Sequence, residues 1–222
     1  MLVGSRARTS HVADRWSDLD LIMLTSDVEH HISSGAWMAA IGTPWLVYID
    51  PAPVGIGREC YALFEQNVDV NLAIFPPAYV ELIASDPDTT QIFQRGVRLL
   101  LDKDGALAAV LAAVPAPAPA QPPAPEAFAR HVNEFCFNTV WTARRLGRGD
   151  LWRALNALEA HMKYGGLLPM LAWHARATYG WQHDTWYGGR CVEQWADPQV
   201  VAALPATFAR FDRADIRRAR LA

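Results

Sequence analysis

The stretch from Gly4 to Leu24, GSRARTSHVADRWSDLDLIML, sets two carboxylates, Asp18 and Asp20, at the head of the apolar run Leu21-Ile22-Met23-Leu24. Such a run reads as a strand, and strand side chains alternate between faces. Asp18 and Asp20 therefore share one face, while Leu19 and Leu21 point to the core. Two neighbouring carboxylates repel unless water or a cation offsets them, and Mg2+ takes oxygen ligands of this kind. Alone, an Asp-x-Asp pair reads as two solvated residues at a strand end. Here it has company. Asp69 stands in NVDVNL, with Val68 and Val70 on the opposite face. Upstream, Gly4-Ser5 sits where a strand would turn into a helix. Its backbone N–H groups, the Ser5 hydroxyl and the Arg6 guanidinium suit phosphate oxygens. A phosphate grip, paired aspartates and a third aspartate on a later strand together describe metal-dependent phosphoryl transfer.

These residues need a scaffold. In the first half, Leu19–Thr25 and Trp45–Ile49 read as strands, and CYALFEQNVDVNLAIF as two more around a turn at Glu65-Gln66-Asn67. Val28–Ala40 and Pro77–Ser85 read as helices. VRLLLDKDG reads as a strand entering a turn, followed by an alanine-rich helix up to Val114. The proline-rich PAPAPAQPPAP, residues 115–125, favours extended backbone and reads as a semi-rigid linker. The second half reads as helical. Phe128, Val132, Phe135 and Thr139 recur at helical spacing over Glu126–Arg148. Asp150 is placed to cap the next helix, Leu151–Met162. Gly165-Gly166 separates it from Leu167–Tyr179, and Asp197-Pro198 opens another. The expected class is α+β: an N-terminal domain with a mixed sheet over 1–114, a linker over 115–125 and a C-terminal helical bundle over 126–222.

Composition sets the outer bounds. The chain has 222 residues, 51% of them hydrophobic and 19% charged, enough for a substantial core. A net charge of −3 argues against a protein that coats nucleic acid and suits a cationic small molecule better. Cys60, Cys136 and Cys191 are too scattered for a zinc site or a disulfide framework and read as reduced, mostly buried thiols. No apolar run reaches membrane-spanning length, and no signal peptide is visible. The expectation is a cytoplasmic protein, monomer or homodimer, with no membrane or nucleic-acid partner.

Gly4-Ser5, Asp18-Leu19-Asp20 and Asp69 resemble the signature of the DNA polymerase β-like nucleotidyltransferases. Within that superfamily, GSRA…DRWSDLDL resembles the aminoglycoside 6-adenylyltransferases, the streptomycin adenylyltransferases. VDVNLAIFPP, VRLLLDKDG and ARRLGRGDLWRALNALEAHMKYGGLLPMLAWHA are similar to further segments of that family. Family members carry a helix and a strand ahead of the Gly-Ser turn and a longer helical tail. This sequence starts three residues before Gly4 and ends soon after FARFDRADIRRARLA.

The resemblance implies transfer of AMP from ATP to a streptomycin hydroxyl, and antibiotic resistance as the consequence. Asp18 and Asp20 would hold Mg2+, and Asp69 would be a second metal ligand, the general base, or both. Gly4, Ser5 and Arg6 would bind the triphosphate, with Lys163 as a further ligand. Streptomycin carries guanidinium groups, so its pocket calls for carboxylates and flat aromatic faces. Glu159 and Trp173 are the candidates on the helices most like the family. Two other readings share these residues: a nucleotidyltransferase with another small-molecule or protein acceptor, and an inactive, trimmed nucleotide-binding remnant. GIGRE lacks the setting of a dinucleotide fingerprint and no P-loop is present. Lys103 reads as a turn residue between counter-charges, and Cys136, between two phenylalanines, as buried.

Overall fold

Apolar residues at every second position make β4 (Val68–Phe75) the centre of a four-stranded sheet: Val70, Leu72 and Ile74 are buried on one face. The structure is a computed structural model that describes residues 1–8, 13–52, 54 and 56–222. Its sheet runs β1-β4-β3-β2. β1 (Leu19–Leu24) is parallel to β4, β3 (Arg58–Phe64) antiparallel to β4, and β2 (Leu46–Pro51) antiparallel to β3. The sheet is therefore mixed, and the fold is α+β. Gln66 and Asn67 take left-handed φ values of 60° and 58° at the β3–β4 turn, the backbone that tight hairpins favour.

One sheet face is covered by α1 (Val28–Ser34) and α2 (Ala36–Ile41), whose Ile32, Trp37 and Met38 pack on Cys60, Ala62, Val70 and Leu72. The single helix expected over Val28–Ala40 is divided. Gly35, at φ 58°, closes α1 in the left-handed conformation that glycine adopts without strain. At the far end of β1 and β4 the other face is covered too. There Ile22 and Phe75 pack with Tyr79, Ile83 and Phe93. Those last three come from α3 (Tyr79–Ser85) and α4 (Pro87–Gln94), and α5 (Ala106–Ala113) adds partly buried Leu107, Val110 and Leu111.

VRLLLDKDG does not form the expected strand. Only Arg98 bridges Leu2, while Met1–Val3 lie along the edge of β1, with Ile22 N–H donating to Met1 O at 2.9 Å and Val3 N–H to Asp20 O at 3.0 Å. With that edge taken, the run turns away. The Asp102 and Asp104 carboxylates then accept the Ala108 and Ala106 N–H groups at 2.8 and 3.2 Å, at the start of α5.

The chain divides into two compact units, Met1–Pro117 and Ala118–Ala222. The second is helical. It holds α6 (Pro125–Gly147), α7 (Leu151–Asn156), a π-helical segment (Ala157–Leu167) and α8 (Leu168–Tyr179). These are followed by α9 (Val192–Trp195), α10 (Pro198–Thr207) and α11 (Arg213–Leu221). Buried Thr142 and Leu146 of α6 share one side with half-buried Phe135, as the 3.6-residue period requires. Cys136 falls off that side and is exposed, against expectation; Cys60 is buried and Cys191 half-buried. Gly165-Gly166 also fails to break the helix. Leu168 N–H reaches Lys163 O, five residues back, and the winding continues from Leu151 to Tyr179. Packing explains this: the His131 ring meets Gly166 O at 2.8 Å, and the Phe135 ring fills the space above Gly166. Among the described residues no helix is long and apolar enough to cross a membrane.

Candidate active site

Parallel register brings the aspartates together from distant parts of the sequence. Leu19 pairs with Val70 and Asp20 with Asn71, so Asp18, Asp20, Asp69 and Asn71 share the sheet face away from α1 and α2. Asn71 Nδ2 donates to Asp20 Oδ1 at 3.2 Å. Antiparallel register adds Tyr61 beside Asn71 and Glu59 beside Ala73. Burial, followed by the charges of Asp18, Glu59 and Asp69, pushes the Asp20 carboxyl above its ordinary value, against the Asn71 hydrogen bond. Asp18 is half-buried and Asp69 is exposed.

The Gly4–Arg6 turn lies directly against this pair. Gly4 has φ +69°, and a Cβ there would sit 2.0 Å from Asp20 Oδ2. Only glycine lets the backbone approach that closely. The Ser5 Oγ is buried and has no hydrogen-bond partner, which is costly for a hydroxyl and fits a site built to hold an oxygen ligand. Arg6 is engaged locally. Its Nε and Nη donate to Ser17 O at 3.2 and 2.7 Å, and Nε also to Asp18 O at 3.0 Å. The guanidinium thus fixes the loop that presents Asp18. A cavity of about 230 Å3 opens here, bordered by Gly4, Arg8, Asp20, Glu59, Asn71 and Arg95.

Two features suit Mg2+: the Asp20 carboxyl, whose ionisation is opposed by its neighbours, and the unsatisfied Ser5 hydroxyl in the adjacent Gly4–Arg6 turn. Among the described residues no three His, Cys, Asp or Glu side chains converge on one point. The fit is therefore to an ion held by Asp18 and Asp20, with phosphate and water oxygens completing its shell, as Mg2+ prefers.

In the helical unit, Glu159 and Lys163 come together and Trp173 stands apart. The Lys163 ammonium pairs with Glu159 Oε2 and lies 4.4 Å from the centre of the Phe208 ring. Glu159 Oε1 accepts the Ala209 N–H at 2.9 Å. Burial pulls the Lys163 pKa below its ordinary value, and Glu159 opposes this. Both line a largely apolar cavity of about 260 Å3 with Leu168, Leu171, Leu204 and Phe208. Trp173 instead packs on α6, with its ring centre 5.0 Å from His131 and 5.9 Å from Phe128.

Glu59, Asn71, Arg8 and Arg95 went unnoticed in the sequence. Asn71 had a usable signal, standing two residues after Asp69 in an alternating strand. Glu59 had none, because it joins the site through cross-strand register alone. Of the GIGRE stretch, Gly55 lies outside the described residues, as do 9–12 of the spacer before Asp18.

A mixed sheet presenting paired aspartates beside a Gly-Ser turn is the arrangement expected of a nucleotidyltransferase. The whole chain, residues 1–222, matches the streptomycin adenylyltransferase family, and the protein belongs to it. It is 24% identical over 213 residues to the aminoglycoside 6-adenylyltransferase of Campylobacter jejuni, covering 93% of this chain and 71% of that protein. Identity to the Bacillus subtilis (strain 168) aminoglycoside 6-adenylyltransferase is 22%, covering 93% and 72%. For the enzyme of that name from Staphylococcus aureus it is 20%, covering 93% and 73%. The crystal structure of an aminoglycoside 6-adenyltransferase from Bacillus subtilis aligns over 92% of this chain and 74% of its own, with a TM-score of 0.42 and 15% identity.

Proposed function

We propose that this chain transfers AMP from ATP to a hydroxyl of a cationic aminoglycoside of the streptomycin class, and so confers resistance to it. One observation carries the reading: Gly4 lies against Asp20, on a sheet face shared with Asp18 and Asp69, in a chain that belongs to the streptomycin adenylyltransferase family. The acceptor oxygen forms a bond to the α-phosphorus while the bond from that phosphorus to the bridging oxygen breaks, releasing pyrophosphate. Asp18 and Asp20 would hold Mg2+, which when bound offsets the charge on the phosphates. Asp69, the exposed member of the three, takes the acceptor hydroxyl's proton as general base. The Ser5 hydroxyl donates to a phosphate oxygen, and Arg6 keeps Asp18 in place through the carbonyls of its loop.

The test is mass spectrometry of streptomycin after incubation with the protein, ATP and Mg2+. The expected product is heavier by one AMP. Asp18→Ala slows its formation at least about a hundredfold, the scale of a lost metal ligand. No product from well-folded protein retires streptomycin as the acceptor. ATP-binding calorimetry then separates a different acceptor from a non-catalytic nucleotide-binding protein.

A further inference from the structure

We infer that Tyr48, Asp50, Glu59 and Tyr61 form a subsite for a guanidinium group of the acceptor, an assignment that rests on the adenylyl-transfer reading above. The β2–β3 register pairs Tyr48 with Tyr61 and Asp50 with Glu59. The β3–β4 register sets Tyr61 beside Asn71. All four side chains therefore lie on the sheet face that carries Asp20, Asn71 and Asp69. The tyrosine rings are stacked, with centres 4.4 Å apart and planes 9° from parallel. Tyr48 keeps 48% of its surface exposed at the sheet edge.

The energetics favour a planar cation. Like charges directly opposite each other on paired strands destabilise a sheet by up to about 1 kcal/mol, yet Asp50 and Glu59 occupy such a pair. A cation between them turns that repulsion into attraction. Guanidinium is the matching shape, since its flat fork bonds carboxylates in pairs and its face stacks on aromatic rings. Burial, a hydrogen bond to Glu59 and the charge of Asp50 hold the Tyr61 phenol well above its ordinary pKa, so it stays a neutral hydroxyl.

Position fits as well. β1 and β3 are two strand spacings apart, about 10 Å, so one ligand can set a hydroxyl by the aspartates and a guanidinium on the tyrosines. Of the four subsite residues, Glu59 alone also borders the cavity of Gly4, Arg8, Asp20 and Arg95, where anionic phosphates belong. An ammonium keeps the charge but loses both the stacking and the fork. The subsite therefore selects guanidino over amino aminoglycosides.

The test is calorimetric titration of the full chain with streptomycin, and with kanamycin, which carries amines and no guanidinium. Tyr48→Leu, Asp50→Asn and Glu59→Gln should each weaken streptomycin binding by about tenfold, the effect of losing a charged contact. Kanamycin affinity should change far less in all three, and ATP affinity should change far less in Tyr48→Leu and Asp50→Asn, whose side chains lie outside the phosphate cavity. The two amide variants should melt no lower than the parent, which removes unfolding as the cause. Absent streptomycin binding by the parent chain, unchanged affinity in all three variants, or an equal loss for kanamycin overturns the assignment. The two readings fail separately. AMP transfer with an unaltered streptomycin KM in the variants removes the subsite and keeps the reaction. Streptomycin binding that needs these residues, without AMP transfer, removes the reaction and keeps the subsite.

Discussion

At the scale of single residues, Asp20 shows a conflict between stability and chemistry. It is partly buried, faces Asp18, Glu59 and Asp69, and accepts one hydrogen bond from Asn71. Its carboxyl pKa in the folded protein is raised from 3.8. A carboxyl raised by folding weakens the folded state once it ionises. The contribution it makes when protonated is present in full below pH 3.8 and is lost as pH rises through the folded value. In metal-free protein, Asp20→Asn is therefore expected to melt above the parent at pH 7. The gap should narrow as pH falls through the raised folded value and close below pH 3.8, where both side chains are neutral. Thermal denaturation in chelator across a pH series checks this. A parent as stable as the variant at every pH would show that the carboxylates do not oppose one another. The retained cost makes sense if the site is completed by a cation that the fold leaves room for. The alternation that set Asp18 and Asp20 on one face was legible because the strand period is fixed by backbone geometry alone. Glu59 and Tyr48 were not, because which residues they meet depends on register between strands, which tertiary packing decides.

At the scale of elements, the π-helical segment was the least legible part of the chain. Two consecutive glycines read as a break, since glycine is the weakest helix former after proline. Helix packing overrides that local preference. The Phe135 ring stands 2.6 Å from the place a Gly166 Cβ would take, whereas nothing lies within 4 Å of the same point at Gly165. The neighbouring glycines therefore do different jobs: Gly166 admits α6, and Gly165 is exposed and merely tolerated. Gly165→Ala is expected to stabilise the protein by about 0.5–1 kcal/mol through helix preference. Gly166→Ala is expected to cost about 1–3 kcal/mol, because the aromatic ring must move within a packed interface. Urea denaturation of the two variants measures both, and equal effects would mean that α6 does not enforce the continuous winding. VRLLLDKDG misled in the opposite sense. Its apolar run suits a strand, but Met1–Val3 already lie along the edge of β1, and the two aspartates cap a helix instead.

At the scale of the whole molecule, the proposed nucleotide and metal ligands come from one of the two compact units. Asp18, Asp20, Asp69 and Ser5 all belong to Met1–Pro117. The helical unit is held by internal pairs such as Glu159 with Lys163 and Asp215 with Arg218. A ligand that binds only the folded form of a region stabilises that region by mass action. Mg2+ with a non-hydrolysable ATP analogue should therefore slow hydrogen exchange first in peptides spanning Gly4–Arg6, β1 and β4. The helix interiors of α6 and α11 should exchange as they do in free protein. Hydrogen-exchange mass spectrometry with and without the nucleotide resolves these segments. Mg2+ alone should produce a smaller effect, since Asp18 and Asp20 without phosphate oxygens complete only part of an octahedral shell. Protection confined to the helical unit would move the nucleotide site away from the aspartates. Equal protection from Mg2+ alone and from Mg2+ with nucleotide would mean that the Gly-Ser turn contributes no phosphate grip.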